Sequence, residues 1–511
     1  MYWRRAASPI YFDCDTLAVT SPPIEKMSDI IRDDTFYYCE EKNLRGVACK
    51  ATLSHSTLTI TEAENGNKQR TVNVDDMIGC LCMRNQDHEN QLSQEQDTIS
   101  VFLCVYYYSL SKNFKKSPYR KRETALLRCQ KYSSFVENCD YVAKWQSSLY
   151  LLIHSNEIYP HMPSTDPITI DSQRLLIFVN PNSGPGVALK TFNTRIRSFL
   201  GEANISYDLI VTSHVGHCQK IVQDSRDLAK YTGLVAVSGD GLLYEIYNGL
   251  FAREDWDSIC RIPVGAIPQG SGNGLARSLA HFKNEPYLYD PLVVSVLNVV
   301  KLKSREMDLC LVNTTKFPKL ISFLSVGWGL MADIDIESER LRMIGEARFT
   351  VGALARIMRL RTYKATVSYL PAVGGVPDEE ISPLLPLDEP LPDQKWISLT
   401  GEFICVYSSL VPFIGTDLFF APKALLDDGI IWLMIVKAPA SKLQVTQLLL
   451  SMDKGNHIQL PWVTFVPVTA FRLVPDVSVG PQSYLVVDGE KLDTQAMQAQ
   501  IMPRKGRVFM R

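Results

Sequence analysis

The sequence predicts an α/β lobe with a mostly parallel sheet, a β-rich, β-sandwich-like lobe after it, and an additional β-rich module before it. Three observations support this fold class. Strand and helix patterns alternate through residues 166–303, strand patterns dominate residues 304–511, and strand patterns followed by one helix fill residues 1–165. With 511 residues the chain is long enough for several hydrophobic cores, so we expect three units with these boundaries.

The first unit combines several strand patterns with a single helical one. Apolar residues alternate in 57–61 and 71–74 around an Asn65-Gly66 turn signal, and residues 99–108 form another strand pattern. Apolar residues then recur at helical spacing from Phe135 to Leu152. Strands closed by one helix predict a small β-sandwich of the pleckstrin-homology type, although other folds share this order. We expect this unit to localise the protein rather than to catalyse.

The second unit alternates strands with helices. Strand patterns at 175–179, 205–211, 233–237 and 262–267 are separated by helical ones, such as residues 187–200. This rhythm predicts a mostly parallel sheet that is covered on both faces. Because such sheets bind ligands beyond the carboxyl ends of their strands, we expect functional residues in the turns that follow these strands.

The third unit is mainly β, with clear strand patterns at 308–312 and 429–436. Residues 370–395 interrupt it with six prolines and six acidic residues. A segment of that composition cannot form a core, so the sequence predicts a mobile surface loop there.

Composition excludes several classes of protein. The formal net charge is only −2, which gives no reason to expect a nucleic-acid partner. The twelve cysteines lie singly, without zinc or redox spacing, which favours a reduced, cytoplasmic protein. Residues 1–20 lack a signal-peptide core, and no apolar run approaches the roughly 20 residues that span a bilayer. Peripheral membrane contact would therefore depend on local patches, such as the basic stretch from Lys112 to Arg122.

Three glycine-rich turns follow predicted strands of the second unit. They are residues 179–186, residues 237–241 with Gly239-Asp240-Gly241, and residues 268–274 with Gly270-Ser271-Gly272. Glycines let backbone N–H groups approach a phosphate, and a following helix adds positive potential. One such turn usually serves only to reverse the chain, but three in one parallel sheet indicate a phosphate-binding edge.

Two common phosphate-binding signatures are absent. Leu189 occupies the second glycine position of a P-loop before Lys190-Thr191. Tyr244 and Leu275 occupy the last glycine position of the two possible dinucleotide-binding fingerprints. The sequence therefore supports neither a P-loop ATPase nor a Rossmann dehydrogenase.

The motifs instead resemble the diacylglycerol-kinase catalytic superfamily, and within it the sphingosine kinases. The specific elements are Ser238-Gly239-Asp240-Gly241-Leu242 with Glu245, Gly270-Ser271-Gly272-Asn273, and a long block from Ser325 to Thr350. The resemblance covers about residues 175–371 and resumes from about residue 403. It departs from the pattern at Tyr244, where these kinases commonly have histidine.

The resemblance implies an ATP- and Mg²⁺-dependent kinase that phosphorylates the primary hydroxyl of a sphingoid base, with Asp240 as the general base. In that case residues 166–303 form the nucleotide-binding lobe and residues 304–511 the lipid-binding lobe. Glu490 would be the metal ligand. The nucleotide-binding residues that it implies are Asn180, Pro181, Asn182, Ser183, Gly184, Thr212, Ser238, Gly239, Gly241, Leu242, Glu245, Gly270, Ser271, Gly272, Arg342, Arg348, Asp488, Gly489 and Glu490.

The resemblance also places Asp333, Asp335 and Ser325 at the lipid. A carboxylate is the natural partner of the ammonium group of a sphingoid base, whereas ceramide and diacylglycerol have no cation there. Capping of a helix is the alternative role for two aspartates near a helix start. For the whole chain the alternatives are a ceramide or diacylglycerol kinase, a catalytically inactive lipid-binding scaffold, or a soluble-metabolite kinase. The sequence leaves the oligomeric state open.

Overall fold

The structure is a computed structural model that describes residues 30–40, 43–63, 66, 68–84, 98–111, 117–154, 173–344, 347–372, 384–392, 395–478 and 483–511. Residues 1–20, Asn65, residues 112–116 of the basic stretch and half of the predicted loop at 370–395 lie outside the described residues. The side chain of Arg342 lies outside them as well.

The first unit is one antiparallel sheet with a single helix. Its strands run in the order β4-β3-β2-β1-β7-β6-β5, and the side chains of Trp145 and Leu149 on the helix are buried in its core. The elements are β1 (Ile30–Glu40), β2 (Asn43–Ser54), β3 (Thr57–Glu62), β4 (Gln69–Asn73), β5 (Met77–Arg84), β6 (Val101–Ser111), β7 (Tyr119–Cys129) and α1 (Phe135–His154). The predicted β-rich character of this unit is confirmed.

The second unit contains four parallel strands. β8 pairs with β9 and β10, and β10 pairs with β11, each in parallel. The elements are β8 (Arg174–Val179), α2 (Ala188–Thr191), α3 (Arg197–Glu202), β9 (Ser206–Val211), α4 (His217–Asp224), β10 (Gly233–Ser238), α5 (Asp240–Phe251), α6 (Trp256–Ile259), β11 (Val264–Pro268), α7 (Gly274–Phe282) and α8 (Pro291–Val300). β10 and β11 are buried along their whole length, as expected of strands that are covered on both faces.

Local sequence explains where α8 begins. The Asp290 side chain accepts a hydrogen bond from the Val293 N–H at the start of α8, and Pro291 occupies the first helical position. Both residues are typical of helix starts, because the cap satisfies a free N–H and proline lacks one.

The third unit is β-rich, which confirms that part of the predicted fold. β16 and β18 each pair with both β15 and β17, so these four strands form a closed ring. The elements are β12 (Ser304–Thr314), β13 (Leu320–Ser322), β14 (Ser325–Gly329), α9 (Leu330–Ser338), α10 (Ala347–Met358), β15 (Tyr363–Pro371), β16 (Ile397–Ser409), β17 (Ile431–Lys437), α11 (Lys442–Ser451), β18 (Val463–Pro475), β19 (Leu485–Val487), β20 (Glu490–Leu492) and β21 (Met497–Phe509).

The strand β21 joins the second and third units. It pairs antiparallel with β12 and β18 of the β-rich lobe, and in parallel with β11 through Val264 and Val508. The two lobes therefore share one continuous sheet. This connection fixes the carboxyl ends of the parallel strands relative to the β-rich lobe.

The first unit packs directly on the α/β lobe. The Tyr108 and Phe199 rings stack with centroids 4.8 Å apart, and the buried Lys301 Nζ donates to the Val74 carbonyl oxygen over 2.7 Å. Arg120 donates to Glu285 over 2.6 Å and also pairs with Asp76. Arg120 of the predicted basic patch is therefore engaged within the protein.

Part of the segment predicted to be a mobile loop is held in place. The buried Arg472 donates hydrogen bonds to the backbone carbonyl oxygens of Leu385, Pro386, Leu387 and Glu389. These hydrogen bonds attach residues 385–389 to β18, and the mobility of the segment 370–395 stays a prediction. In the described part of the chain, no helix combines the length and apolar character needed to cross a bilayer.

Candidate active site

The three glycine-rich turns meet at the carboxyl ends of β8, β10 and β11. The Ser183 Oγ lies 3.1 Å from the Ser238 Oγ and accepts a hydrogen bond from the Gly239 N–H. A Cβ added at Gly270 would lie 2.3 Å from the Gly239 Cα, and one added at Gly184 would lie 2.5 Å from the Gln269 carbonyl oxygen. Glycine is therefore required for the turns to approach one another, and their backbone groups are concentrated at one edge.

Asp240 is the first residue of α5 and lies where the second and third turns meet. Its Oδ2 accepts a hydrogen bond from the Gly274 N–H over 2.8 Å, and the side chain is buried. Burial raises the pKa of Asp240 to about 6, and the nearby Asp335 carboxylate contributes in the same direction. The backbone N–H groups of Gly274 and Leu275 oppose this shift. Such a carboxylate can accept a proton near neutral pH.

Asp335 lies in α9, across the site from Asp240, and is paired with Arg348. Arg348 Nη2 donates to the Asp335 Oδ1 over 3.1 Å, and Nη1 donates to the Asp335 carbonyl oxygen and the Ser338 Oγ. Arg348 Nε is buried and has no hydrogen-bond partner among the described residues. A buried guanidinium with an unused donor is suited to an anionic ligand.

Asp333 faces away from this group. Residues two apart on a helix lie on nearly opposite sides, and Asp333 is 1% exposed. Its carboxylate accepts hydrogen bonds from the Tyr363 hydroxyl, the Ser483 hydroxyl and the Tyr484 N–H. The alternative role of helix capping is wrong for Asp333, because α9 begins after Gly329 and these partners come from elsewhere. The carboxylate ties α9 to the β-rich lobe.

The turn between β19 and β20 brings Asp488, Gly489 and Glu490 to the same place. Asp488 has a φ of 51° and Gly489 one of 85°, values that favour a tight turn. A Cβ added at Gly241 would lie 3.2 Å from the Glu490 Oε1, and one added at Gly489 would lie 3.8 Å from the Asp335 Oδ2. Glu490 therefore approaches α5, and Gly489 approaches α9.

The Asp488 carboxylate is occupied by protein groups. It accepts hydrogen bonds from the Ser322 hydroxyl and from the N–H groups of Phe323, Leu324 and Ser325. Burial raises the pKa of Asp488 to about 7, whereas these four donors favour the ionised form. The geometry gives the side chain a structural role and does not support its direct contact with a nucleotide.

Two further predicted nucleotide ligands also have internal partners. Glu245 accepts hydrogen bonds from the N–H groups of Gly216, Cys218 and Gln219, and so caps the start of α4 from the neighbouring helix. The buried Thr212 donates to the Val179 carbonyl oxygen over 3.4 Å. Both residues hold the turn after β9 against the site.

The remaining predicted nucleotide residues lie in the three turns. The Asn180 Oδ1 accepts a hydrogen bond from the Asn182 N–H, and these two residues flank Pro181 in the first turn. Ser271 and Gly272 are partly exposed in the third turn, whereas Leu242 is buried in the core behind the second. Only the backbone of Leu242 is thus placed to contribute.

Two residues that the sequence analysis did not assign also shape the site. The Asn273 side chain bonds to both the N–H and the carbonyl oxygen of Gly270, which fixes the third turn. Glycine and asparagine together after a strand are a recognisable turn signal, because the asparagine side chain can bond to nearby backbone groups. The Tyr407 hydroxyl lies 3.2 Å from the Ser325 Oγ, a contact between residues 82 positions apart that local sequence patterns do not reveal.

Comparison with known proteins identifies two family models along the chain. The model described as "Diacylglycerol kinase catalytic domain" matches residues 174–312. The model described as "YegS C-terminal NAD kinase beta sandwich-like domain" matches residues 324–510. The first match contains all three glycine-rich turns, and the second contains α9, α10 and the turn between β19 and β20.

Curated relatives match over long stretches of the chain. "Sphingosine kinase 1" of Homo sapiens is 36% identical over 65% of this chain and 89% of the relative. "Sphingosine kinase 2" of Homo sapiens is 26% identical over 99% of this chain and 95% of the relative. "Sphingoid long chain base kinase 4" of Schizosaccharomyces pombe is 26% identical over 66% of this chain and 74% of the relative.

Proposed function

The chain belongs to the sphingosine kinase family, and from this premise we propose that Asp240 is the general base of its reaction. The reaction is the ATP-dependent phosphorylation of a sphingoid base, which yields a base 1-phosphate and ADP. The observation that carries the proposal is the position of Asp240. Its buried carboxylate meets the third glycine-rich turn and is poised to accept a proton near neutral pH.

The proposed step is an in-line displacement. Asp240 accepts the proton of the primary hydroxyl, and that oxygen forms a bond to the γ-phosphorus of ATP. The bond between the γ-phosphorus and the bridging oxygen breaks, and its electrons leave with ADP. Because the protein forms no covalent bond, catalysis depends on positioning and on stabilising charge.

The phosphates of ATP would lie against the three turns. Close packing of Gly184, Gly239 and Gly270 supports this placement, because it brings three turns with their backbone N–H groups to one edge of the sheet. The unused Nε of the buried Arg348 supports a phosphate contact on the α10 side. Arg342 remains a predicted phosphate ligand from the family resemblance.

The head group of the lipid would pair with Asp335. This carboxylate is partly exposed, with a side-chain exposure of 23%, and its charge acts on Asp240. A cation held there would place the neighbouring primary hydroxyl near the general base. Asp333 remains a substrate-binding prediction, but its buried hydrogen bonds support a structural role instead.

Mg²⁺ is the metal that this chemistry uses, and Glu490 fits as a ligand. Among the described residues, no group of three or more metal-binding side chains comes together. Mg²⁺ commonly needs only one or two carboxylates, because the substrate phosphates and water supply the rest. A carboxylate beside Gly241 meets that requirement. The metal would neutralise charge on the transferring phosphate.

Peripheral membrane contact has support on α10. Val351, Leu354 and Met358 are 48%, 63% and 64% exposed, and their spacing places them on one face of the helix. We propose that this face meets the bilayer from which the lipid is taken.

The order of seven strands and one helix in the first unit supports a pleckstrin-homology-like fold, with localisation as the role of that unit.

Replacing Asp240 with Asn tests the function. The turnover of purified protein with ATP and sphingosine should fall roughly 10²- to 10⁴-fold, while ATP affinity holds. Near-normal turnover of the folded variant would exclude Asp240 as the base.

A panel of sphingosine, ceramide and diacylglycerol distinguishes the alternatives, because only a sphingoid base offers Asp335 a cation. A wild-type preference for either neutral lipid would overturn the substrate proposal.

A further inference from the structure

Two buried hydroxyl groups meet beside the proposed head-group site. The Tyr407 hydroxyl lies 3.2 Å from the Ser325 Oγ, and the two residues are 8% and 3% exposed. β14 and β16 pair with Gly327 opposite Tyr407. A Cβ added at Gly327 would lie 2.2 Å from the tyrosine ring, so this glycine leaves the space that the ring fills.

The two hydroxyls have hydrogen-bonding capacity left over. Each hydroxyl has one donor and two acceptor lone pairs. The contact between Tyr407 and Ser325 uses one donor and one acceptor, and neither hydroxyl has a second partner in the described part of the chain. Because buried polar groups are nearly always satisfied, this pair is suited to a polar group of a bound molecule.

The pair marks the boundary between the polar site and an apolar cluster. The Tyr407 ring packs edge-on against Phe420 with centroids 5.4 Å apart. Both belong to a buried cluster that also contains Ile334 of α9 and Met434 of β17. The hydroxyl of Tyr407 therefore bonds to a polar partner, while its ring packs in the apolar cluster.

Asp335 lies close to Ser325: the Asp488 N–H donates to the Ser325 carbonyl oxygen over 2.8 Å, and a Cβ added at the next residue, Gly489, would lie 3.8 Å from the Asp335 Oδ2. Burial and, after it, the Asp335 charge raise the pKa of both Asp240 and Tyr407, so this carboxylate is close to each of them. The carboxylate proposed for the head group thus interacts with the general base and with the tyrosine hydroxyl, and the tyrosine ring belongs to the apolar cluster. A sphingoid base carries a hydroxyl on carbon 1, an ammonium on carbon 2, a hydroxyl on carbon 3, and then the chain.

We propose that the Tyr407 hydroxyl, with Ser325 as its hydrogen-bond partner, binds the carbon-3 hydroxyl of the sphingoid base. This inference rests on the proposed function and adds a second element of specificity to it. Asp335 selects for the cation, and Tyr407 selects for the hydroxyl beyond it.

The test compares sphinganine with 3-deoxysphinganine, which lacks only the carbon-3 hydroxyl. Wild-type kcat/KM should be roughly 3- to 10-fold higher for sphinganine, the usual worth of one neutral hydrogen bond. Tyr407→Phe keeps the ring and should abolish that preference, with kcat/KM for 3-deoxysphinganine nearly unchanged. An equal loss on both lipids, or no loss on either, would overturn the role of Tyr407.

Tyr363→Phe is a matched control. The Tyr363 hydroxyl is also buried, but its partner is Asp333, on the side of α9 opposite Asp335. This variant should lower the thermal midpoint and keep the sphinganine preference; loss of the preference would show that the effect is not specific to Tyr407.

The wild-type comparison also separates the two proposals, even where a variant fails to fold. Wild-type protein that phosphorylates neither base would refute the proposed function. Wild-type protein that phosphorylates both bases equally well would refute only the assignment of Tyr407.

Discussion

Arg348 donates a hydrogen bond to Asp335, with 3.1 Å between Nη2 and Oδ1, and thereby links the two sides of the proposed active site. The arginine is the proposed phosphate contact, and the aspartate is the proposed head-group contact. The arginine side chain is 6% exposed and the aspartate side chain 23%, so the pair is only partly screened by water. Replacing either residue should therefore affect the binding of both substrates.

Asp335→Asn should lower kcat/KM for sphingosine on the order of 10- to 100-fold. The change removes a charge-assisted hydrogen bond to the ammonium group, worth about 1.5–3 kcal/mol. The penalty should shrink for an acceptor whose amine is acylated. Steady-state kinetics with both acceptors measures the difference, and equal losses on the two lipids would show that Asp335 does not recognise the head group.

Asp333→Asn is the control for that experiment. Its carboxylate accepts hydrogen bonds from Ser483 and Tyr363 inside the protein, so the variant should be less stable by thermal denaturation. Lipid preference should stay as in the wild type. A changed preference in the folded variant would place Asp333 at the lipid.

The pH dependence of kcat/KM should report Asp240. Asp240 must be ionised to accept a proton, and its pKa is raised to about 6, chiefly by burial. The value of kcat/KM should therefore rise with pH and level off above about pH 6. This parameter is the one to measure, because its pH dependence reports the pKa values of groups in the free enzyme. In Asp335→Asn the neighbouring negative charge is gone, so the pKa of Asp240 should fall and the acid limb should move to lower pH. A limb that stays in place would contradict the coupling of the two carboxylates.

Arg120→Ala should destabilise the protein by about 1.5–3 kcal/mol, because it removes the charge-assisted hydrogen bonds from Arg120 to Glu285 and Asp76, while Arg511 still pairs with Glu285. Chemical denaturation measures the free energy of unfolding. Lys121→Ala is the control from the next position, since its pair with Glu123 is exposed and its loss should have no measurable effect. Equal stability of both variants would show that the first unit is only loosely attached.

Sequence alone predicted the features that depend on local pattern. The turns with Asp240 and Gly270 were recognisable because three glycine-rich turns follow strands of one predicted parallel sheet. The β-rich character of the first and third units followed from alternating apolar residues. The sequence analysis placed both Asp333 and Asp335 at the lipid, although a spacing of two puts helical residues on nearly opposite sides.

Features that depend on distant partners could not be predicted in this way. Asp488 is occupied by residues more than 160 positions earlier in the chain, and Arg472 holds a segment more than 80 positions away. The packing of Tyr108 on Phe199 depends on the fit between the surfaces of two units, which the local sequence of neither unit specifies. Such contacts follow from the assembled fold and not from any local periodicity.

The shared strand β21 has a consequence for how the protein is made. Val508 of β21 pairs with Val264 of β11, so a ribosome must add the whole β-rich lobe before this pair can form. At about 5–20 residues per second, that delay is on the order of tens of seconds. During this delay the edge of β11 lacks its partner strand β21, and an unpaired strand edge can pair with other chains. The nascent α/β lobe is therefore a natural client for chaperones until synthesis reaches β21.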